Sequence, residues 1–187
     1  MNYPNNITKT YQKPVSYSNR GMDLEDLINE TNKYYLDNNI ALIYKKPTPI
    51  GIDKVQYENN SKIITRAFFK EPSTLDYNGL YKGRYVEFDA KETTSKTSFP
   101  LQNIHPHQIL HLKKVLEHNG IGFLIIKMCG NYYYLSGKDL ISFIDEGKRK
   151  SIPFDYIQKN GYLLKYNYSK GLNYLNAIDE EINGKGV

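Results

Sequence analysis

The sequence predicts one domain of α/β or α+β class: a mixed sheet with helices packed against it and a basic two-stranded hairpin. Three observations predict it. Helical apolar periodicity alternates with β-rich stretches in the order α-β-ββ-ββ-α-ββ-α. The 187 residues are 40% hydrophobic and 24% charged, enough for one packed core without cross-links. No internal repeat interrupts the pattern.

Residues 1–19 mix Asn, Tyr, Pro, Ser and Lys without period and read as a loosely attached N-terminal arm. The rest, residues 20–187, is read as the single domain. Lys9, Lys13 and Arg20 make the arm basic, which suits a phosphate backbone. Residues 23–36 place apolar side chains at 24, 27, 28, 34 and 35 behind an acidic first turn, the pattern of a first helix. Residues 37–39 end it, and residues 40–44 form a short apolar strand. Two β-rich stretches, residues 50–57 and 62–69, flank a turn-forming Glu-Asn-Asn-Ser at 58–61. From residue 44 to 70 this hairpin holds Lys45, Lys46, Lys54, Lys62, Arg66 and Lys70 against Asp53 and Glu58. A basic two-stranded projection suits a groove or a junction in nucleic acid. An edge hairpin kept soluble by its lysines has the same composition, and both readings stay open at this point.

A second hairpin spans residues 74–91, with Lys82 and Gly83 as its two-residue turn. With Tyr81 opposite Arg84, Asp76 stands opposite Asp89 and Thr74 opposite Lys91, so all four share one face by period-two alternation. The other face then carries Leu75, Tyr77, Val86, Phe88 and Ala90, a core-facing set. Two facing carboxylates repel, and a divalent cation removes the conflict. Oxygen donors without a thiolate suit Mg²⁺ or Mn²⁺. Such an ion can polarise a phosphate while Lys91 stabilises negative charge beside it. A turn or bulge at Asn78 and Gly79 remains an alternative, and a slip of one residue would send Asp89 to the opposite face.

A Thr/Ser-rich loop at 93–98 precedes a helix over 105–118, which Gly120 closes as a C-cap. Strands at 121–128 and 132–135 flank a Gly130-Asn131 turn, a helix follows from about 137 to 144, and residues 172–182 are helical at the end of a polar, Tyr-rich tail. Cys129 reads as a buried apolar residue. His107 and His111 have the spacing of a helical zinc pair, but no Glu follows the first and the lone Cys129 is distant, so phosphate contact or plain surface is preferred. Glu25 and Glu30 on the first helix are accessory carboxylates, with capping or solvation as the competing role.

The single cysteine excludes an internal disulfide, the N-terminus lacks a signal-peptide pattern, and the apolar run 121–126 is too short to cross a bilayer. The expectation is a cytoplasmic protein without a membrane partner. A net charge of +5 and a pI near 9.0 favour polyanionic partners, a weak signal taken alone.

Several blocks together carry a resemblance. They are residues 18–22 (Ser-Asn-Arg-Gly-Met) with Leu24 and Glu25, residues 29–35 (Asn-Glu-Thr-Asn-Lys-Tyr-Tyr) and residues 45–49 (Lys-Lys-Pro-Thr-Pro). Further along they are residues 74–79 with Asp76, Tyr-Lys-Gly at 81–83, Ala-Lys-Glu-Thr at 90–93, Thr-Ser-Phe-Pro-Leu at 97–101, and His-Gln at 107–108. In these blocks, between about residues 17 and 128, the sequence closely resembles the RecU family of Holliday junction resolvases, members of the PD-(D/E)xK nuclease superfamily. After Leu135 the resemblance is loose.

The resemblance implies a restriction-endonuclease-like α/β core, its mixed central sheet flanked by helices, with residues 44–70 as a protruding stalk that enters an open four-way junction. It implies Mg²⁺, with Mn²⁺ as a substitute, held by Thr74, Asp76, Asp89 and Gln108, with Lys91 as transition-state stabiliser. It implies a homodimer making symmetric nicks in recombination and DNA repair, acting with a RecA-class recombinase and branch-migration machinery, with Arg20 as a candidate regulatory contact. Lys45 is a candidate for the scissile phosphate. One departure stands out: Asp89 occupies a position where the family usually has Glu. The competing functions are a related nuclease on other DNA structures and a junction-binding protein without catalysis.

Overall fold

The computed structural model describes residues 23–70 and 74–184; Arg20 and the arm at 1–19 lie outside the described residues. The chain runs through α1 (Leu24–Asp37), β1 (Leu42–Lys45), β2 (Ile50–Glu58), β3 (Ser61–Phe69), β4 (Tyr77–Tyr81), β5 (Arg84–Glu92), β6 (Ser98–Pro100), a 3₁₀ turn (Leu101–Asn103) and α2 (Pro106–Glu117). It continues through β7 (Ile121–Met128), β8 (Asn131–Ser136), α3 (Gly137–Asp145), β9 (Ser151–Pro153), α4 (Phe154–Asn160), β10 (Tyr162–Leu164), β11 (Tyr166–Asn167), β12 (Gly171–Leu172) and α5 (Tyr174–Ile182).

Six strands form one mixed sheet in the order β1-β4-β5-β7-β8-β10. Only β5 and β7 pair in parallel, because α2 lies between them as the crossover a parallel connection requires. Both faces of the sheet are covered. One carries Tyr77, Val86, Phe88, Phe123 and Tyr134 against α1 and α5; Phe88 stacks between Tyr77 at 4.8 Å and Phe123 at 4.6 Å. The other carries Leu124, Ile126, Tyr133 and Leu135 against residues of α2, α3 and α4. This is the expected mixed sheet flanked by helices. Among the described residues no helix is long and apolar enough to cross a membrane.

Helices α1 and α2 end alike. Asn39 and Asn119 take positive φ (55° and 59°), and the next amide reaches back to the third-last carbonyl, Ile40 to Tyr35 at 2.8 Å and Gly120 to Val115 at 2.8 Å. The left-handed residue is therefore Asn119, not Gly120 as the sequence suggests. Asn tolerates that conformation through its short polar side chain.

Three further expectations are corrected. The β7–β8 turn is Cys129-Gly130 (φ 52° and 76°), not Gly130-Asn131, and Met128 pairs with Asn131. Cys129 is accordingly exposed, its thiol 3.6 Å from the Lys96 carbonyl, because the tip of a tight turn points away from the sheet. The tail after α3 is also richer than one final helix: β10 pairs with β8 at the sheet edge, and Tyr174, Leu175, Ala177 and Ile178 of α5 are buried in the core.

The hairpin β2–β3 forms a separate two-stranded sheet closed by Asn59 and Asn60, both at positive φ (47° and 62°), and rooted by the Lys70 amide on the Pro49 carbonyl at 2.9 Å. Apart from Gly51, both strands are exposed throughout.

Candidate active site

The register of β4 and β5 is the one the Lys82-Gly83 turn predicts: both turn residues have positive φ (47° and 74°), and Tyr81 pairs with Arg84 through to Tyr77 with Phe88. Asn78 and Gly79 lie within the strand. Gly79 is required there because a Cβ would stand 1.9 Å from the Leu42 carbonyl of β1. The alternation ends one residue before β4. Leu75 packs with the α2-side cluster and not with Tyr77, which corrects the face assigned to it from sequence. The reason is the neighbouring strand: the Lys46 amide takes the Asp76 carbonyl at 2.7 Å, drawing residues 74–76 along the end of β1.

The predicted reactive face is consequently not a bare one. Asp89 is fully buried beneath α2, and the turn at 74–76 brings Asp76 beside it. Gln108, on the first turn of α2, donates its amide to Asp89 Oδ2 at 2.5 Å, and Lys91 Nζ lies 2.9 Å from the same oxygen. Asp89 Oδ1 accepts from the Ala90 amide at 2.8 Å. The Asp89 carboxyl is pushed up to about 6 on balance: burial raises it most, Lys91 pulls it back and Asp76 raises it again. Gln108 has a second engagement: its Oε1 accepts from the His105 amide at 3.0 Å, closing the start of the helix.

Beside this buried group opens a cleft of about 320 Å³, lined by Glu25, Lys45, Lys46, Thr74 and Asp76 and by Pro47–Pro49 at the root of the hairpin. Thr74 Oγ1 lies 3.3 Å from the Leu75 carbonyl. Lys45 pairs with Glu25, whose hydrogen bond raises its pKa. Lys46 pairs with Glu87 and Lys91 with Asp89, so among the described residues Asp76 is the cleft carboxylate that takes part in no ion pair. Glu25 thus reaches the site, whereas Glu30 is exposed and does not line the cleft. The Tyr77 hydroxyl ends buried without a partner; burial first, then Glu25, Asp76 and Asp89, push its pKa up.

Glu87 is the residue that sequence reasoning missed. It is fully buried two residues before Asp89 on the same face, and the alternation that located Asp89 points to it equally. Its carboxylate meets Lys46, His111 Nε2 at 2.8 Å, the Tyr85 hydroxyl at 2.8 Å and the Leu75 amide at 3.3 Å. Burial alone would raise its pKa, but Lys46, His111 and Tyr85 outweigh burial and hold the carboxyl below its ordinary value. His111 is thereby occupied, His107 stacks on His105 at 5.4 Å, and the histidines form no zinc site among the described residues.

Of the basic candidates, Lys45 and Lys46 are engaged at the cleft, while Lys54, Lys62, Arg66 and Lys70 are exposed on the hairpin. Arg66 pairs with Asp53 at 3.1 Å, and Lys62 sits 5.7 Å from the Tyr57 ring centroid.

Among the described residues there is no group of three or more His, Cys, Asp or Glu able to hold a metal. The donors at hand are two adjoining carboxylates, Asp76 and Asp89, with the oxygens of Thr74 and Gln108. An oxygen-only set with a strained acid pair fits a hard divalent cation.

Residues 19–180 match the family model described as Recombination protein U. A Holliday junction resolvase RecU of Bacillus cereus (strain B4264) is 51% identical over 177 residues, covering 91% of this chain and 88% of that protein. The protein of the same name from Oceanobacillus iheyensis is 47% identical over 193 residues, covering 96% and 98%. The solved structure of Hjc, a Holliday junction resolvase of the archaeon Archaeoglobus fulgidus, is loosely similar, with a TM-score of 0.43 at 10% identity over 74% of this chain and 91% of that one. On the family match and the near full-length relatives, the chain belongs to the RecU family.

Proposed function

We propose that the chain is an endodeoxyribonuclease that resolves Holliday junctions by Mg²⁺-dependent phosphodiester hydrolysis, nicking two strands symmetrically as a homodimer. The observation that carries this reading is the meeting of Asp76, just before β4, with Asp89 and Lys91 of β5, beside a cleft that Asp76 lines and that runs to the root of an exposed basic stalk. Relatives of nearly the same length bear the resolvase name, which supports the substrate.

When bound, a divalent cation at Asp76 and Asp89 would supply charge to the scissile phosphate and acidify a water. Asp76 offers an unpaired carboxylate from the cleft wall. Asp89 is oriented by Gln108 and the Ala90 amide, and its single methylene keeps it close to β5. Thr74 and Gln108 complete the oxygen set, Gln108 by releasing the His105 amide. Lys91, partly buried beside Asp89, places a fixed positive charge where negative charge develops on the phosphate. Lys45 lines the same cleft and can exchange Glu25 for a phosphate oxygen. The stalk presents Lys54, Lys62, Arg66 and Lys70 together with exposed Tyr57 and Phe69, a set suited to backbone contact and base stacking at an open junction. A RecA-class recombinase and branch-migration machinery are the proposed partners.

Incubation with a synthetic four-way junction, a linear duplex and a flap, with Mg²⁺ or Mn²⁺, tests the reading. Paired nicks confined to the junction are expected. Equal cutting of all three would replace junction resolution with a general nuclease activity, and binding without cutting would leave a junction-binding protein.

A further inference from the structure

We infer that Glu87 is a positioning residue for the cation site, a buried carboxylate that fixes the relative placement of the three segments supplying the proposed oxygen donors. The inference rests on reading Asp76 and Asp89 as that site.

Of the four partners of Glu87, the Tyr85 hydroxyl lies on β5 itself and the other three reach into the site. The Leu75 amide, 3.3 Å away, lies in the turn between Thr74 and Asp76. Lys46, the salt-bridge partner, also binds the Asp76 carbonyl through its own amide at 2.7 Å, so the same turn is held from two sides. His111, at 2.8 Å, lies one helical turn beyond Gln108 on α2 and ties down the helix that orients Asp89. Glu87 itself is anchored in β5 two residues before Asp89, where β4 pairs on one side and β7 on the other.

A role in bulk stability explains this poorly. Burying a carboxylate with a lysine and a histidine gains little over apolar packing, and Leu112, Leu124 and Ile126 already pack on this face. A carboxylate can do what leucine cannot, which is to hold three elements in fixed directions at once. Carboxylate separation and direction at a divalent-cation site need that control, and partners behind the ligands typically account for tenfold to about a hundredfold in metal affinity.

The test is Mn²⁺ binding to the full chain without DNA, read from the free-Mn²⁺ electron paramagnetic resonance signal, beside junction binding in EDTA and melting temperature. Glu87→Gln should weaken Mn²⁺ affinity by about tenfold or more. Junction binding in EDTA should stay unchanged, and cleavage should recover at saturating Mn²⁺, because Glu87 touches no reacting atom. Glu87→Asp keeps the charge and should restore part of the affinity, and His111→Gln, which loses one tie, should weaken it less than Glu87→Gln. Wild-type Mn²⁺ affinity in folded Glu87→Gln, even with a lowered melting temperature, overturns the proposal. Should that variant not fold, wild-type affinity in both Glu87→Asp and His111→Gln overturns it. Asp76→Asn separates the two claims. If wild type binds Mn²⁺, Asp76→Asn does not and the Glu87 variants are indifferent, only the positioning role falls. If wild type does not bind Mn²⁺, the cation reading falls and this inference with it.

Discussion

The stalk hairpin β2–β3 and the site hairpin β4–β5 are built from similar material and meet opposite fates. Both are rich in β-branched and aromatic residues, and both close through a two-residue turn with two positive φ angles. Among the described residues the stalk has no strand on either side, and Tyr57 is 72% exposed and Phe69 80%. The site hairpin lies between β1 and β7 with helices over both faces, so Phe88 and Asp89 alike are fully buried. Neighbours, not strand composition, decide which hairpin becomes a core and which a probe. The consequence is functional. Carboxylates that must aim at one point sit where packing and buried hydrogen bonds lock them, while cations that meet a long polyanion sit where they can be reached.

The contrast can be broken at several points. The largest effect is expected at the locked end: Asp76→Asn should lower junction cleavage by on the order of a thousandfold while leaving junction binding intact, measured by nicking and gel shift. Cleavage at the wild-type rate would remove Asp76 from the site. Next, Phe88→Ala, which empties the centre of the Tyr77-Phe88-Phe123 stack, should cost about 3–5 kcal/mol in denaturant unfolding. A cost below 1 kcal/mol would mean the site hairpin is not held by its core.

A cation should then stabilise the same hairpin. Mg²⁺ at a hundredfold its Kd should add about 2.7 kcal/mol to unfolding, a gain that EDTA reverses and Asp76→Asn abolishes. Identical melting curves with and without Mg²⁺ would contradict cation binding to the folded state.

At the exposed end, replacing Lys54, Lys62 and Arg66 together with Gln should leave the fold unchanged but weaken junction binding. The slope of log affinity against log salt should flatten, by up to about 2.7 if each side chain releases one counterion. An unaltered slope would make the stalk no more than an edge. The smallest effect is expected for Phe69→Ala on unfolding, within about 0.5 kcal/mol, because a side chain this exposed on the stalk has little native packing to lose. A loss like that of Phe88→Ala would erase the distinction between the hairpins.

Much of this was legible along the chain. The Lys82-Gly83 turn and period-two alternation placed Asp89 correctly, and both hairpins and the helices α1 and α2 were evident from periodicity and turn residues. Gln108 came from resemblance, since no hairpin arithmetic reaches a helix beyond the next loop. Leu75 was misplaced because alternation was extended past the point where β1 captures the chain. Alternation puts Glu87 on the face of Asp89, but nothing local marks it as buried; its burial follows from α2 lying over β5 and bringing His111 to it. In the tail the two helices α3 and α5 were legible, but β10 was not, because it has three residues and gains its identity only from pairing with β8.

By itself, then, the sequence determined the main helices and the hairpins, the register of the site hairpin, and the pairing of acids with a lysine two residues apart, because these depend on turn chemistry and side-chain period, which are local. The tertiary structure alone decided that Asp89 is buried while Asp76 stays half-buried at the cleft, that Gln108 and Glu87 attend them, and that among the described residues the stalk hairpin stands free. Those outcomes depend on which strand or helix lies beside each residue, and contacts such as the Lys46 amide on the Asp76 carbonyl or His111 on Glu87 join parts of the chain that no local pattern connects.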